Sequence, residues 1–188
     1  DKFSNPEWVA SDLLAQAEHD LNSQCILISK DKKIIEMVKN SILNQLKVLS
    51  RKDIAKKSLQ KNSIFIHATT DKEILYTINT VAPEHLELAV KKYQKLVTKV
   101  TNAGSICLGK YSAMAVTDYS AGSNHILPTN SSAKFSSGLS VYDFYKRISY
   151  INLSKKGIES IGEQVINLAN YEGLDGHAKS VELRIRRK

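Results

Sequence analysis

The sequence predicts an α/β fold with an open, mainly parallel sheet and a carboxyl-terminal helical tail. Short apolar runs alternate with helical patterns between about residues 24 and 109, which is typical of βαβ units. The first of these runs is almost continuously apolar, as in strands that are buried on both faces. From Ser140 onward the apolar spacing is helical and no strand partner follows.

The first helix and strand have clear boundaries in the sequence. Asn5, which is followed by proline, is a typical N-cap, and the helix is expected to run to about His19. Residues 24–29 are expected to form a buried strand. Asp31 then caps a long amphipathic helix, whose apolar face consists of Ile34, Ile35, Val38, Ile42 and Leu46.

The middle of the chain continues this alternation. Further strands are expected at residues 63–67, 86–90 and 106–108. Helices are expected after Asp53, after a capping box made by Thr70 and Glu73, and at residues 93–100. Because crossovers in a parallel sheet are nearly always right-handed, helices cover both faces and ligands gather at the carboxyl ends of the strands.

The last third of the chain changes character. Residues 110–139 are rich in glycine, serine, threonine and asparagine, and they are expected to form a long functional loop. Residues 140–188 form the predicted helical tail, which is expected to dock on another surface such as a second subunit. Gly173 and Gly176 are expected to break this tail before a last basic segment. The apolar face of the tail consists of Ile158, Ile161, Val165, Ile166 and Leu168.

Composition and charge exclude several classes of protein. With 42% hydrophobic and 24% charged residues, the chain has the composition of a soluble globular protein, and no apolar run approaches the ~20 residues of a membrane helix. The net charge of +8 is mostly lysine spread along the chain, so a basic nucleic-acid binder is kept only as an alternative. Cys25 and Cys107 lie in apolar runs without a disulfide or metal motif, which makes a reducing cytoplasm the expected compartment.

Two local patterns could carry chemistry. Gln16 and His19 are three residues apart and share a helix face, with Asp12 on the same side, so both could reach one metal ion. Glu84 and His85 place a carboxyl group next to an imidazole, which could transfer protons at neutral pH. A surface pair and a solvated turn are the alternative interpretations.

More distant residues could complete a metal site. Asp118 and His125 lie in the polar loop, whereas Glu172 and His177 lie near the end of the chain. A carboxylate with two or more imidazoles suits zinc. Spacing alone indicates no more than an α/β domain with a possible metal site.

Seven segments considered together resemble the histidinol dehydrogenase family. Their order and mutual distances match the family along the whole chain, but only in its carboxyl-terminal part. The resemblance therefore implies a fragment that lacks the nicotinamide-contacting residues and is inactive alone. The segments are residues 10–19, 82–88, 103–109, 118–129, 135–141, 143–147 and 172–177.

The resemblance implies a reaction and a role for each candidate residue. The family, which catalyses the last step of histidine biosynthesis, oxidises L-histidinol to L-histidine through an aldehyde and passes two hydrides to NAD. His85 would be the general base, and Glu84 would activate the water that hydrates the aldehyde. Zinc would orient the substrate, and its ligands would be Gln16, His19, Asp118 and His177. Substrate contacts are implied for these four ligands and for His85, His125 and Glu172.

The resemblance also implies an architecture and a partner. Residues 1–139 would be a partial catalytic and zinc domain with an incomplete Rossmann-like sheet, and the NAD site would lie in the missing amino-terminal part. Residues 140–188 would be a dimerisation tail, whose helices cross to the other subunit of an intertwined homodimer. No nucleic-acid or membrane partner is expected. The alternatives are a non-catalytic dimerising module and the basic nucleic-acid binder.

Overall fold

Four strands, six α-helices and two short 3-10 helices lie in the first of two units in this computed structural model, which describes residues 1–186. The first unit spans Asp1–Phe144, and the second begins at Tyr145. The strands are β1 Ile26–Ser29, β2 Ile64–His67, β3 His85–Leu88 and β4 Ser105–Leu108. The helices are α1 Pro6–Ala17, α2 Lys32–Gln45, α3 Lys52–Asn62, α4 Asp71–Val81, α5 Gln94–Val97 and α6 Met114–Tyr119.

The strands confirm the predicted α/β class and its parallel pairing. β1 pairs in parallel with β2, with Ile26 opposite Ile64, and β3 pairs in parallel with β4, with His85 opposite Ser105. Within residues 1–186 these are two separate pairs, so β1 and β3 each have a strand neighbour on one side only. The open parallel sheet is therefore present in part.

A cavity of about 690 Å³ lies within the first unit, and both strand pairs contribute to its wall. All of β1 lines it, together with all of β3. Ile28 of β1 also packs against the apolar cluster around Leu88 of β3. The cavity is therefore bordered by β1, whose nearly continuous apolar run is typical of the middle of a sheet, and by β3, in which polar and apolar residues alternate.

The predicted helix caps are confirmed by their hydrogen bonds. The Asn5 side chain accepts from the Glu7 amide at 2.8 Å, and the Asp31 side chain accepts from the Lys33 amide at 2.9 Å. The Thr70 hydroxyl accepts from the Glu73 amide at 3.2 Å, which begins α4. The boundaries of α1, α2 and α4 thus follow from local chemistry.

Two apolar clusters hold the elements of the first unit together. In the first cluster, Leu14 of α1 packs with Val38 and Ile42 of α2. In the second, Leu88 of β3 packs with Ile78 of α4 and with Leu96 of α5. The first cluster fixes α1, and the second fixes β3.

Two predictions about the last third of the chain are wrong, and the predicted break of the tail is confirmed at Gly173 but not at Gly176. The expected polar loop contains helix α6, and residues 145–154 are not helical although the sequence predicts a helix from Ser140. Gly173, with φ of +73°, does end a helix, but Gly176 lies inside the next one. A glycine is tolerated there because it is the second residue of that helix, where Asp175 provides the acidic first turn. Residues 187 and 188, which end the predicted basic segment, lie outside the described residues.

The second unit is built on two helices, α7 Lys155–Tyr171 and α8 Asp175–Ile185, which pack against each other. They approach closely at Gly162, where an added Cβ would lie 3.0 Å from Ile185 Cγ2 and 3.2 Å from Val181 Cγ1. Among the described helices of the chain, none combines the length and apolarity needed to cross a membrane.

We expect Gly162→Val to lower the free energy of unfolding by about 1–3 kcal/mol, because the new methyl groups have no space between α7 and α8. Urea denaturation followed by circular dichroism measures this change. Gly176→Val is the matched control, since a Cβ at Gly176 meets no atom within 4 Å. An equal loss of unfolding free energy in Gly162→Val and Gly176→Val would contradict close packing at Gly162.

Candidate active site

Gln16 and His19 lie at the carboxyl-terminal end of α1. Gln16 is half-buried and lines the cavity, whereas His19 is exposed just beyond the helix. The His19 amide donates to the Gln16 carbonyl at 3.3 Å. The His19 carbonyl in turn accepts from Arg51 Nη2 at 3.2 Å. The backbone thus holds these two residues one helical turn apart.

Glu84 directly precedes β3, and His85 is the first residue of that strand. Ala82, the C-cap of helix α4, adopts the left-handed conformation with φ of +48°. The Glu84 carbonyl then accepts from the Ser105 amide at 2.9 Å, which begins the pairing of β3 with β4. The left-handed C-cap of α4 and the pairing of β3 with β4 together fix the backbone of Glu84 and His85.

The side chains of this pair are half-buried and line the same cavity as Gln16. His85 Nε2 lies 3.7 Å from Glu84 Oε1, a distance that suits an ion pair but exceeds a hydrogen bond. His85 Nδ1 is buried and has no hydrogen-bond partner within the described part of the chain. A polar group that enters the cavity could satisfy this nitrogen.

Gly104 allows another part of the chain to approach this pair. A Cβ at this position would lie 2.6 Å from the Glu84 carbonyl oxygen and 3.0 Å from Pro128 Cδ. The absence of a side chain therefore lets the segment before β4 pack directly against the Glu84 backbone.

Asp118 and His125 follow β4 in the region that the sequence predicts as a loop. Asp118 is half-buried on α6, and α6 packs against α1. His125 is exposed in an irregular segment. Neither residue is on the wall of the cavity that Gln16, Glu84 and His85 share.

Glu172 and His177 lie in the second unit. Glu172 is the C-cap of α7, and its amide donates to the Leu168 carbonyl at 3.0 Å. His177 is in the first turn of α8, and its amide donates to the Leu174 carbonyl at 3.0 Å. Both side chains are exposed.

The structure thus brings Gln16, Glu84 and His85 to one cavity wall. Across residues 1–186, no three His, Cys, Asp or Glu side chains form a cluster that could hold a metal ion. The candidate donor set still suits zinc by its chemistry, because it offers an amide oxygen, a carboxylate and two imidazoles. The assignment of zinc ligands, catalytic residues and substrate contacts stays a prediction.

A pair of carboxyl groups, Asp12 and Glu87, lies beside these residues, and the sequence indicated only Asp12, on the same side of α1 as Gln16 and His19. The two carboxyl groups share a side-chain hydrogen bond, and Glu87 Oε1 also accepts from the Met114 amide at 2.8 Å. Burial, followed by the nearby Asp12 charge, raises the pKa of Glu87 to about 8. Burial also raises the pKa of Asp12. Spacing gave one usable signal: Glu87 lies two residues after His85, so both point to the same face of β3.

The two cysteines are free and buried, as expected of small apolar side chains. Burial raises the pKa of Cys25 to about 11. Burial, followed by the nearby charge of Glu87, raises the pKa of Cys107 to about 11. Both thiols therefore stay protonated at neutral pH and are poor nucleophiles.

Known proteins match almost the whole chain. Residues 1–185 match the family model described as histidinol dehydrogenase. A Pelagibacter ubique protein named histidinol dehydrogenase is 69% identical over 188 residues, which are 100% of this chain and 44% of the relative. A protein of that name from Nitrosomonas europaea is 45% identical over 184 residues, or 98% of this chain and 43% of the relative.

A solved structure shows the same similarity. The crystal structure of histidinol dehydrogenase from Elizabethkingia anophelis superimposes with a TM-score of 0.88 and is 39% identical. The match covers 97% of this chain and 42% of that one. The chain therefore spans less than half the length of these relatives, and it corresponds to their carboxyl-terminal part.

Proposed function

The chain belongs to the histidinol dehydrogenase family, and from this premise we propose that it is the carboxyl-terminal part of an enzyme that oxidises L-histidinol to L-histidine. The observation that carries the proposal is the Glu84–His85 pair on the wall of the 690 Å³ cavity. A carboxyl group and an imidazole on one cavity wall are the groups that alcohol oxidation followed by aldehyde hydration requires.

His85 is the proposed general base. When an alcohol loses a hydride from carbon, its hydroxyl proton must leave as well, and an imidazole takes up protons readily near neutral pH. Within residues 1–186 the buried Nδ1 has no hydrogen-bond partner, and Nε2 lies 3.7 Å from Glu84 Oε1, so either ring nitrogen could perform this task. Which nitrogen meets the substrate depends on the tautomer.

Glu84 is proposed to activate water in the second half of the reaction. The aldehyde must add water before it loses its second hydride, and a carboxylate can take a proton from that water. Glu84 suits the task because its side chain is about one third exposed, at 34%, and therefore still reaches solvent. His85 would thus take the hydroxyl proton of the alcohol, and Glu84 would take a proton from the water that adds to the aldehyde.

Zinc is proposed to bind Gln16, His19 and Asp118, together with His177 of the partner subunit. When bound, zinc would supply a fixed point for the nitrogen atoms of the substrate and so orient it. The proposal is supported by the position of Gln16 and His19 at one end of α1 and by the packing of α6, which carries Asp118, against α1. His125 and Glu172 are the proposed further contacts to the substrate.

The remaining proposals concern what this chain needs from outside it. NAD would accept the two hydrides, and its contacts are proposed to lie in the amino-terminal part that the relatives have and this chain does not cover. A homodimer that uses the tail is supported by exposed apolar side chains in the second unit, such as Ile148, Tyr150 and Ile151. The two free cysteines support a cytoplasmic location.

Zinc content tests the proposed metal ligands. We expect the chain, after chelation and reconstitution, to hold about one zinc ion per copy and to show no turnover of histidinol. His19→Ala and His177→Ala should each weaken zinc binding by more than about tenfold, because each removes a ligand.

His67→Ala is the matched control, because His67 is exposed, lies outside the cavity wall and has its Nε2 3.2 Å from the Lys30 carbonyl. A folded parent chain without zinc would contradict the metal assignment and favour a non-catalytic dimerising module. Turnover by the isolated chain would contradict the need for an amino-terminal part.

A further inference from the structure

We propose that Asp12 and Glu87 form a hydrogen-bonded carboxyl pair that positions helix α6, and with it Asp118, against α1 and β3. The part that concerns Asp118 as a ligand rests on the proposed function. Asp12 and Glu87 are positioning residues in this proposal and do not touch the substrate or the metal ion.

Glu87, which lies on strand β3, caps the amino terminus of helix α6. The residue in the N-cap position, Ala113, has no side chain that can accept a hydrogen bond. Glu87 Oε1 takes this role across 27 residues of sequence by accepting from the Met114 amide at 2.8 Å. Asp118 lies four residues after Met114, so the first turn of the helix that carries it is tied to β3.

Asp12 connects the same carboxyl group to α1. It lies one turn before Gln16 on α1, and its side chain shares a hydrogen bond with Glu87. Glu87 is itself two residues from His85 on β3. One pair of carboxyl groups therefore joins the three elements that carry Gln16, His85 and Asp118.

Both contacts of Glu87 can exist together only if one proton is present on the pair. Two ionised carboxylates would repel each other, whereas a protonated Glu87 can donate to Asp12 and still accept from Met114. No lysine, arginine or histidine forms an ion pair with either carboxyl group among residues 1–186. The other titratable groups that face the pair are His85 on the same strand, Cys107 on β4, Asp118 on α6 and Lys110 beside the small pocket next to Asp12.

The pair has a definite effect on the pH dependence of stability. Burial, and then the Asp12 charge, raises the pKa of Glu87 from its ordinary value of 4.5 to about 8 in the folded chain. Between these two values the folded state binds more protons than the unfolded state, so the free energy of unfolding falls as pH rises. Below this window both states are protonated, and above it both are ionised, so the contribution stays constant on either side.

Glu87→Gln and Glu87→Ala separate this proposal from a simple structural role. Glutamine keeps both contacts without a titrating group, since its carbonyl accepts from Met114 and its amide donates to Asp12. We expect Glu87→Gln to keep the amides of residues 114–119 protected from hydrogen exchange, and Glu87→Ala to lose this protection by about tenfold or more. At pH 8.5, Glu87→Gln should unfold about 2–4 °C above the parent chain, with a flatter pH dependence between pH 5 and 8.

Glu73→Gln is the matched control, because Glu73 also helps to fix the start of a helix but works as an anion. Its carboxylate accepts from the Thr69 amide at 2.6 Å and from the Thr69 hydroxyl, and these bonds lower its pKa. Glu73→Gln should therefore lower the unfolding temperature of the chain, whereas Glu87→Gln should not. Loss of stability in both variants would overturn the proposal, because it would mean that Glu87 is ionised.

Zinc titration of the same variants tests the part that concerns Asp118. Glu87→Ala should bind zinc about 10–100-fold more weakly than the parent chain, and Glu87→Gln should bind it equally well. Weaker binding in Glu87→Gln, equal to that in Glu87→Ala, would overturn the positioning role and indicate a direct ligand. If the parent chain binds no zinc, the metal assignment fails, and hydrogen exchange in α6 still decides the role of the carboxyl pair.

Discussion

Replacing His85 by asparagine is expected to lower kcat for histidinol oxidation by about 10²–10⁴-fold, the usual loss when a general base is removed. The reason is that the hydroxyl proton of the substrate then has no acceptor on the cavity wall, where His85 is only 18% exposed and its Nδ1 has no other partner in the described residues. The measurement uses this chain joined to the amino-terminal part of the Pelagibacter ubique relative, which is 69% identical to it over the shared part. NADH formation is followed with histidinol and, separately, with the aldehyde.

Two comparisons make this result specific. Glu84→Gln should slow the oxidation of the aldehyde more than that of the alcohol, because only the aldehyde step needs an activated water. His67→Asn should leave both rates unchanged, since His67 lies outside the candidate site. If His85→Asn kept kcat within a factor of three of the joined parent protein, His85 would not be the base.

Replacing Gly104 by alanine is expected to lower the free energy of unfolding by about 1–3 kcal/mol and to inactivate the joined enzyme. The added methyl carbon would lie 2.6 Å from the Glu84 carbonyl oxygen, and that oxygen already accepts from the Ser105 amide at 2.9 Å. Backbone atoms cannot rotate away as a flexible side chain can. The start of β3 must therefore move, and Glu84 and His85 move with it.

Urea denaturation of the chain and the kcat of the joined enzyme measure the two effects. Gly176→Ala adds the same methyl group where no atom lies within 4 Å, so it should lower neither quantity. An unchanged unfolding free energy in Gly104→Ala would show that the Glu84 backbone is free to shift and is not fixed by β4.

The parts of the fold that could be predicted are those that local chemistry decides. Asn5, Asp31 and Thr70 each accept a backbone hydrogen bond at the start of a helix, and such residues favour that position in any protein. Strands β1, β2 and β4 were predictable from short apolar runs between helical patterns, and β3 was predictable from the alternation of Leu86, Leu88 and Val90 with other residues. These signals do not depend on what the rest of the chain does.

Helix α6 could not be predicted, because its amino terminus is capped by Glu87 from a strand 27 residues earlier. No local residue signals this cap, and the surrounding glycines and serines indicate a loop. The partner of a buried carboxyl group is likewise decided by tertiary structure. The sequence therefore could not predict that Asp12 and Glu87 form a pair. Gln16, Glu84 and His85 were indicated by local spacing and received their roles from a family resemblance, but the sequence could not show that they share one cavity.

The one-sided pairing of β1 and β3 affects how copies of this chain behave in solution. A strand edge without a neighbour is a template on which another extended segment can add, and repeated addition between copies leads to aggregates. The net charge of +8 opposes this, because like-charged copies repel each other. Salt shortens the range of that repulsion to roughly 10 Å at 0.1 M. The colloidal stability of the chain should therefore fall as the ionic strength rises.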